Sequence, residues 1–168
     1  VEGYEFNSDG LKIIKHTKNH RCQCEKLHKI LKKMRILIDR DFIDIEAKAL
    51  LKKYKFKIHK KEDIDYKVED LIIAKTHKSK NYYTEKYKDL PKYSVKKKSR
   101  DYSSNEIIIG PPPDDVPCEI QHAFTIHAIQ GETASHTLFI DINRMKCVRM
   151  LYTALSRAKL FSQIKIIE

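Results

Sequence analysis

Two arginines and a short polar run decide what chemistry this 168-residue chain could do. Arg157 follows Leu151-Tyr152-Thr153-Ala154-Leu155-Ser156 and precedes Ala158-Lys159. Leu151, Ala154, Leu155 and Ala158 form one apolar stripe at helical spacing and leave Arg157 near its edge. A guanidinium is planar, always charged and forked, so it matches the oxygens of a phosphate better than any other side chain. The plainer alternative is a solvated helix arginine. Arg21, in Asn19-His20-Arg21-Cys22, is the second arginine, and its plain reading is an arginine flanking a helix start. The polar run is Thr125-Ile126-His127-Ala128-Ile129-Gln130-Gly131-Glu132-Thr133. Thr125 ends a strand, and Gly131 is suited to break a helical turn and let the backbone approach an anion closely. For His127 the alternative is a satisfied core histidine.

A second constellation spans 78–102. It carries nine basic residues (Lys78, Lys80, Lys86, Lys88, Lys92, Lys96, Lys97, Lys98, Arg100) against three acidic ones, a local +6. Tyr82, Tyr83, Tyr87, Tyr93 and Tyr102 are interleaved. Cations neutralise phosphates and aromatic rings stack on bases, each stack contributing roughly 1–3 kcal/mol. An ordinary solvated Lys-rich helix and loop is the competing reading. His16, His20, Cys22, Cys24 and His28 crowd together, but Cys-x-Cys is tighter than the usual zinc spacing, so no metal is expected there.

The chain also lacks something. Its four glycines are Gly3, Gly10, Gly110 and Gly131, and none opens a G-x-x-x-x-G-K-[ST] loop. The usual nest of backbone N–H groups that cradles a nucleoside triphosphate is therefore missing. Hydrolysis of ATP by this chain alone is not expected.

The elements that must position these residues can be read from periodicity. Strands are expected at 11–15, 70–75, 105–109, 119–126, 137–142 and 162–167. Helices are expected along Leu27, Ile30, Leu31, Met34 and Ile38, from about Phe42 to Tyr54, and over 145–158. Gly110-Pro111-Pro112-Pro113-Asp114-Asp115 must be a turn or loop. Alternation of strands and helices in the C-terminal half indicates α/β layering with a largely parallel sheet.

The formal charge of +11 and a pI near 9.4 favour a polyanionic partner. No apolar run approaches 18 residues, so no membrane span is expected. Four irregularly spaced cysteines suggest reduced thiols in a cytoplasmic or nuclear compartment. The Lys/Ile/Asn-rich composition would suit a large DNA virus or another AT-rich genome. The start at Val1 suggests a piece of a longer parent chain.

Residues 125–133 and 151–159 resemble motifs V and VI of superfamily 1 nucleic-acid helicases, whose patterns read T-x-H-x-x-Q-G-x-[ET] and Y-[VT]-A-[LI]-[TS]-R-A. Residues 19–22 resemble motif IV, and the three follow in the expected order. The resemblance covers most of the chain, thinly between 40 and 118. It implies a RecA-like three-layer α/β domain with a largely parallel central sheet, the second such domain of a helicase, over 1–168. It implies ATP and Mg²⁺ held mainly by an N-terminal RecA-like domain of the same parent chain. Arg157 would then be an arginine finger, a role that can contribute on the order of 10³–10⁵ in rate, and Arg21 its companion.

By the same resemblance Thr125 and His127 would face the nucleic-acid backbone, while Gln130 and Gly131 couple the two sites. Relatives often place a ribose-contacting Glu where this chain has Thr133, and Glu132 sits one place early. The Q-G-x-T wording looks most like RecD-like DNA helicases, which move 5′→3′ on single-stranded DNA. Superfamily 1 helicases of RNA viruses share similar wording, so RNA stands open. A helicase-derived module that binds nucleic acid without catalysis is the rival from another class.

Overall fold

The computed structural model describes residues 21–39, 46–98, 103–112, 114–129 and 131–168, with only the backbone described for 97, 98 and 103–105. The expected strand at 11–15, together with His16, Asn19, His20, Arg100 and Gln130, lies outside the described residues.

Helix α1 (Glu25–Asp39) buries Leu27, Ile30, Leu31 and Met34, the i, i+3, i+4, i+7 stripe that the sequence announces. Helix α2 (Ala47–Lys53) is short and buries Ala47, Leu50 and Leu51. Lys55 stands just beyond its end at a φ of 58°. A two-residue strand β1 (Ile58–His59) follows; it is too short to leave a periodicity in the sequence. β2 (Leu71–Ala74) and β7 (Leu138–Asp141) are buried at every position, as strands covered on both faces must be. Between them in the chain come α3 (His77–Lys86), β3 (Lys92–Lys98), β4 (Ser103–Ile109), β5 (Cys118–Ile120) and β6 (Ala123–Thr125). Helix α4 (Val148–Leu155) and β8 (Ile164–Ile167) complete the order.

The main sheet runs β1-β8-β7-β2-β6, with every pairing parallel. Its register aligns the C-terminal ends of the strands: Ile167, Asp141, Ala74 and Thr125 stand side by side on one edge. Side chains alternate between faces. Leu71, Ile73, Phe124, Leu138, Ile140, Ile164 and Ile166 join the cluster formed with α1, α2 and α4. Ile72, Ala123, Phe139 and Ile167 join Tyr83 of α3 and Tyr66 on the other side. Burying each such large apolar side chain contributes roughly 1.5–3 kcal/mol. Helices thus flank a parallel sheet on both faces, the expected three-layer α/β architecture.

Three expectations need correction. The stretch 92–109 is an antiparallel hairpin, β3 against β4, with β5 on the other side of β3. These strands form a second sheet, β4-β3-β5, separate from the parallel one. The single strand expected at 119–126 is broken at Gln121-His122, and its halves serve different sheets. Lastly, α4 is shorter at both ends than 145–158, so Arg157 lies in the turn that follows the helix.

Candidate phosphate and nucleic-acid edge

The three chemically suggestive segments meet at the end of α4. The chain entering α1 is tied down by a bond from the Gln23 backbone N–H to the Lys159 carbonyl, 2.9 Å. The segment after Gly131 is tied by the Ala134 N–H to the Arg157 carbonyl, 2.8 Å. These two bonds bring Arg21 and the 131–132 turn against residues 156–157.

Arg157 is half-buried. Its Nε donates to the Thr153 carbonyl (3.3 Å), Nη1 to the Glu132 carbonyl (3.4 Å) and Nη2 to Ser156 Oγ (3.1 Å). Arg21 donates from Nη1 to the Ser156 carbonyl (3.3 Å) and from Nη2 to the Gly131 carbonyl (3.4 Å). Burial, with the Arg21 charge beside it, pulls the Arg157 guanidinium below its ordinary range. Among the described residues no carboxylate forms an ion pair with Arg157. Arg157 is thus a cation held by long bonds to neutral oxygens, with the Arg21 charge beside it, and such a cation is receptive to an anion.

The acceptors around them come from helix and turn geometry. In the last turn of α4 the Tyr152, Ala154 and Leu155 carbonyls accept from the N–H groups of Ser156, Arg157 and Ala158, while the Thr153 carbonyl accepts from the side chains of Ser156 and Arg157. Gly131 has φ +100°, a left-handed conformation that side chains rarely adopt, although a Cβ there would meet nothing within 4 Å.

Beside this pair a cavity of about 570 Å³ opens at the C-terminal edge of the sheet, lined among others by Lys75, Thr125, His127, Arg149, Tyr152 and Arg157. In an open parallel sheet this edge is where ligands bind. Thr125 caps the following turn, its Oγ1 accepting from the Ala128 N–H at 3.4 Å. His127 is exposed at the cavity, so the core-histidine alternative does not hold; among the described residues the buried histidine is His122. Glu132 is exposed and Thr133 half-buried. Lys75 and Arg149 were missed in the sequence. Lys75 directly follows β2, and that position at a strand's C-terminal end was the available signal.

The basic Tyr/Lys segment divides. Lys78 is exposed and Lys80 half-buried on α3. Lys96 is exposed on β3, 4.0 Å from Glu119, while Lys97 and Lys98 belong to the same strand. Tyr82 keeps 38% of its surface and sits against Lys61 Nζ, 3.9 Å from the ring centroid. Tyr83 is 0% exposed and donates to Asp141 Oδ2 at 3.0 Å, so it is a core residue with no face for a base.

Lys92 is also inside, at 2% exposure. Its Nζ donates to Tyr66 Oη (3.2 Å) and to the Asp70 carbonyl, and Tyr66 in turn meets His122 Nδ1 at 2.9 Å. Burial pushes Lys92 down to about 8. This network fastens the base of the hairpin to the parallel sheet. Among the described residues no group of three His, Cys, Asp or Glu side chains is arranged to hold a metal ion. No described helix is long and apolar enough to cross a membrane.

No family model matches the sequence, and no curated protein matches it. Two solved structures of Pif1 helicases are similar. A Pif1 from Bacteroides sp, in complex with ADP-AlF4, superposes with a TM-score of 0.53 at 15% identity over 89% of this chain. A structure addressing unwinding of forked double-stranded DNA by two coordinating Pif1 helicases gives a TM-score of 0.49 at 16% identity, with 89% of this chain and 48% of that chain covered. This chain spans about half the length of the Bacteroides protein (50%). The chain thus has a RecA-like α/β fold, similar to that found over about half of the Bacteroides Pif1 structure.

Proposed function

We propose that this chain is the C-terminal motor half of an ATP-dependent superfamily 1 helicase or translocase that acts on single-stranded nucleic acid. The carrying observation is the convergence of Arg21 and Arg157, far apart in sequence, at one half-buried spot where no carboxylate pairs with Arg157 among the described residues. Such a pair fits the terminal phosphate of a nucleotide presented by another domain. With no phosphate loop of its own, the chain depends on an N-terminal RecA-like partner domain to hold ATP and Mg²⁺. ATP supplies the phosphoryl group; Arg157 and Arg21 neutralise its terminal oxygens as charge shifts during transfer. In this reading Gln130, Gly131, Glu132 and Thr133 would couple these arginines to the nucleic-acid residues Thr125 and His127, and Lys78, Lys80, Tyr82, Lys96, Lys97, Lys98 and Arg100 would extend the contact.

The wording of residues 130–133 favours a RecD-like, DNA-directed enzyme, and the Bacteroides neighbour is a nucleotide-bound Pif1. In the protein that joins this chain to its phosphate-loop domain, Arg157→Ala should abolish nucleic-acid-stimulated ATP hydrolysis while ATP binding survives. Unchanged turnover would remove the finger role. The lack of a phosphate loop favours one other reading, a helicase-derived binder without catalysis. A parent sequence without a phosphate loop and an acidic Mg²⁺-binding motif upstream would select it.

A further inference from the structure

Ser156 touches both arginines, and nothing in the phosphate chemistry itself requires a serine there. Its hydroxyl donates to the Thr153 carbonyl at 2.8 Å, which spends its only proton and turns its lone pairs outward. One of them accepts from Arg157 Nη2 at 3.1 Å. Its carbonyl, at the C-cap of α4, accepts from Arg21 Nη1 at 3.3 Å. The Thr153 carbonyl that receives the serine proton also receives Arg157 Nε, at 3.3 Å. One residue thus fixes the rotation of one guanidinium and helps to seat the other.

From this we infer that Ser156 is a positioning residue of the reaction, acting through Arg157 and, by its backbone, through Arg21. The inference rests on the phosphate-facing role proposed for Arg157. Without the hydroxyl, Arg157 keeps its charge and its two carbonyl bonds but loses the bond that sets the plane of its fork. A fork that samples several planes still attracts a phosphate, yet meets the transferring group in the wrong geometry more often. Transition-state stabilisation should therefore suffer while ground-state ATP binding is spared.

The test uses the full-length protein carrying both RecA-like halves, with steady-state ATP hydrolysis in the presence of single-stranded DNA. Ser156→Ala should lower kcat on the order of 10- to 100-fold, as expected for misplacement of a charged group by about an ångström, with KM for ATP little changed. Ser156→Thr, which keeps the hydroxyl, should restore most of the turnover. The thermal unfolding midpoint of each variant separates loss of positioning from loss of fold. Wild-type kcat in Ser156→Ala beside a dead Arg157→Ala overturns the positioning role and leaves the finger standing. An equal loss in Ser156→Ala and Ser156→Thr also overturns it, because the hydroxyl is then not what matters. Wild-type turnover in Arg157→Ala removes the reading on which the inference rests.

Discussion

A guanidinium half-sunk in protein and surrounded by neutral acceptors costs stability, and at Arg157 this cost is compounded by a second cation. The nucleotide phosphate proposed to meet Arg157 would offset that cost. Gly131 is part of the same arrangement, since its carbonyl holds Arg21. Gly131→Ala should destabilise the domain by about 1–3 kcal/mol, the usual penalty for forcing a side chain into a left-handed conformation. No clash adds to this, because a Cβ there meets nothing within 4 Å. Gly110, at φ +113° and equally uncrowded, is the control. Urea titration should show similar losses for both alanine variants. Only Gly131→Ala should also lower ATP turnover in the full-length protein. Equal turnover in the two variants would show that the Gly131 carbonyl does not help to place Arg21.

At the level of elements, legibility followed burial. α1 and α4 announced themselves because one face of each is apolar and the periodicity is long enough to register, and β2 and β7 because both of their faces are covered. The hairpin was obscured because β3 reads as a basic run: its core-facing Lys92 looks like any solvated lysine until Tyr66 and Asp70 close around it. Tyr83 was misread for the same reason, its neighbours in α3 being polar. At Gln121-His122 the chain crosses from the small sheet to the parallel one, and that crossing carries a testable consequence.

His122 is held down to about 4, chiefly by burial and then by the Lys92 charge. Unfolded, it titrates near its ordinary value of about 6.5. Between these values the unfolded chain binds the extra proton, so this residue's contribution to stability is intact above about pH 6.5 and is lost as pH falls toward 4. The slope approaches 1.4 kcal/mol per pH unit at most. Urea midpoints measured at pH 7.0, 6.0 and 5.0 should fall for the wild type. They should fall less for His122→Asn, whose amide can still meet Tyr66. Parallel curves for the two proteins would mean that His122 does not titrate in this window.

For the whole molecule, net charge would set how tightly a polyanion is held, and the proposed edge would set where. A formal charge of +11 would attract nucleic acid even without a built site, so affinity alone cannot distinguish a groove from a diffuse positive surface. Salt dependence combined with position can. Each phosphate neutralised on a single strand contributes about −0.7 to the slope of log K against log salt. If Lys75 and Arg149 at the cavity rim each contact a phosphate, Lys75→Ala and Arg149→Ala should each flatten that slope by about 0.7 on oligo(dT). Lys29→Ala, on α1 and already engaged with Glu25 at 2.6 Å, should leave the slope unchanged. Equal effects from all three would assign binding to overall charge and take the nucleic acid away from this edge. Loss confined to the rim would put the strand on the same sheet edge as Arg157. There, closure on a nucleotide and grip on a strand would be mechanically inseparable, because the Ala134–Arg157 bond joins the segment after Gly131 to the turn that bears Arg157.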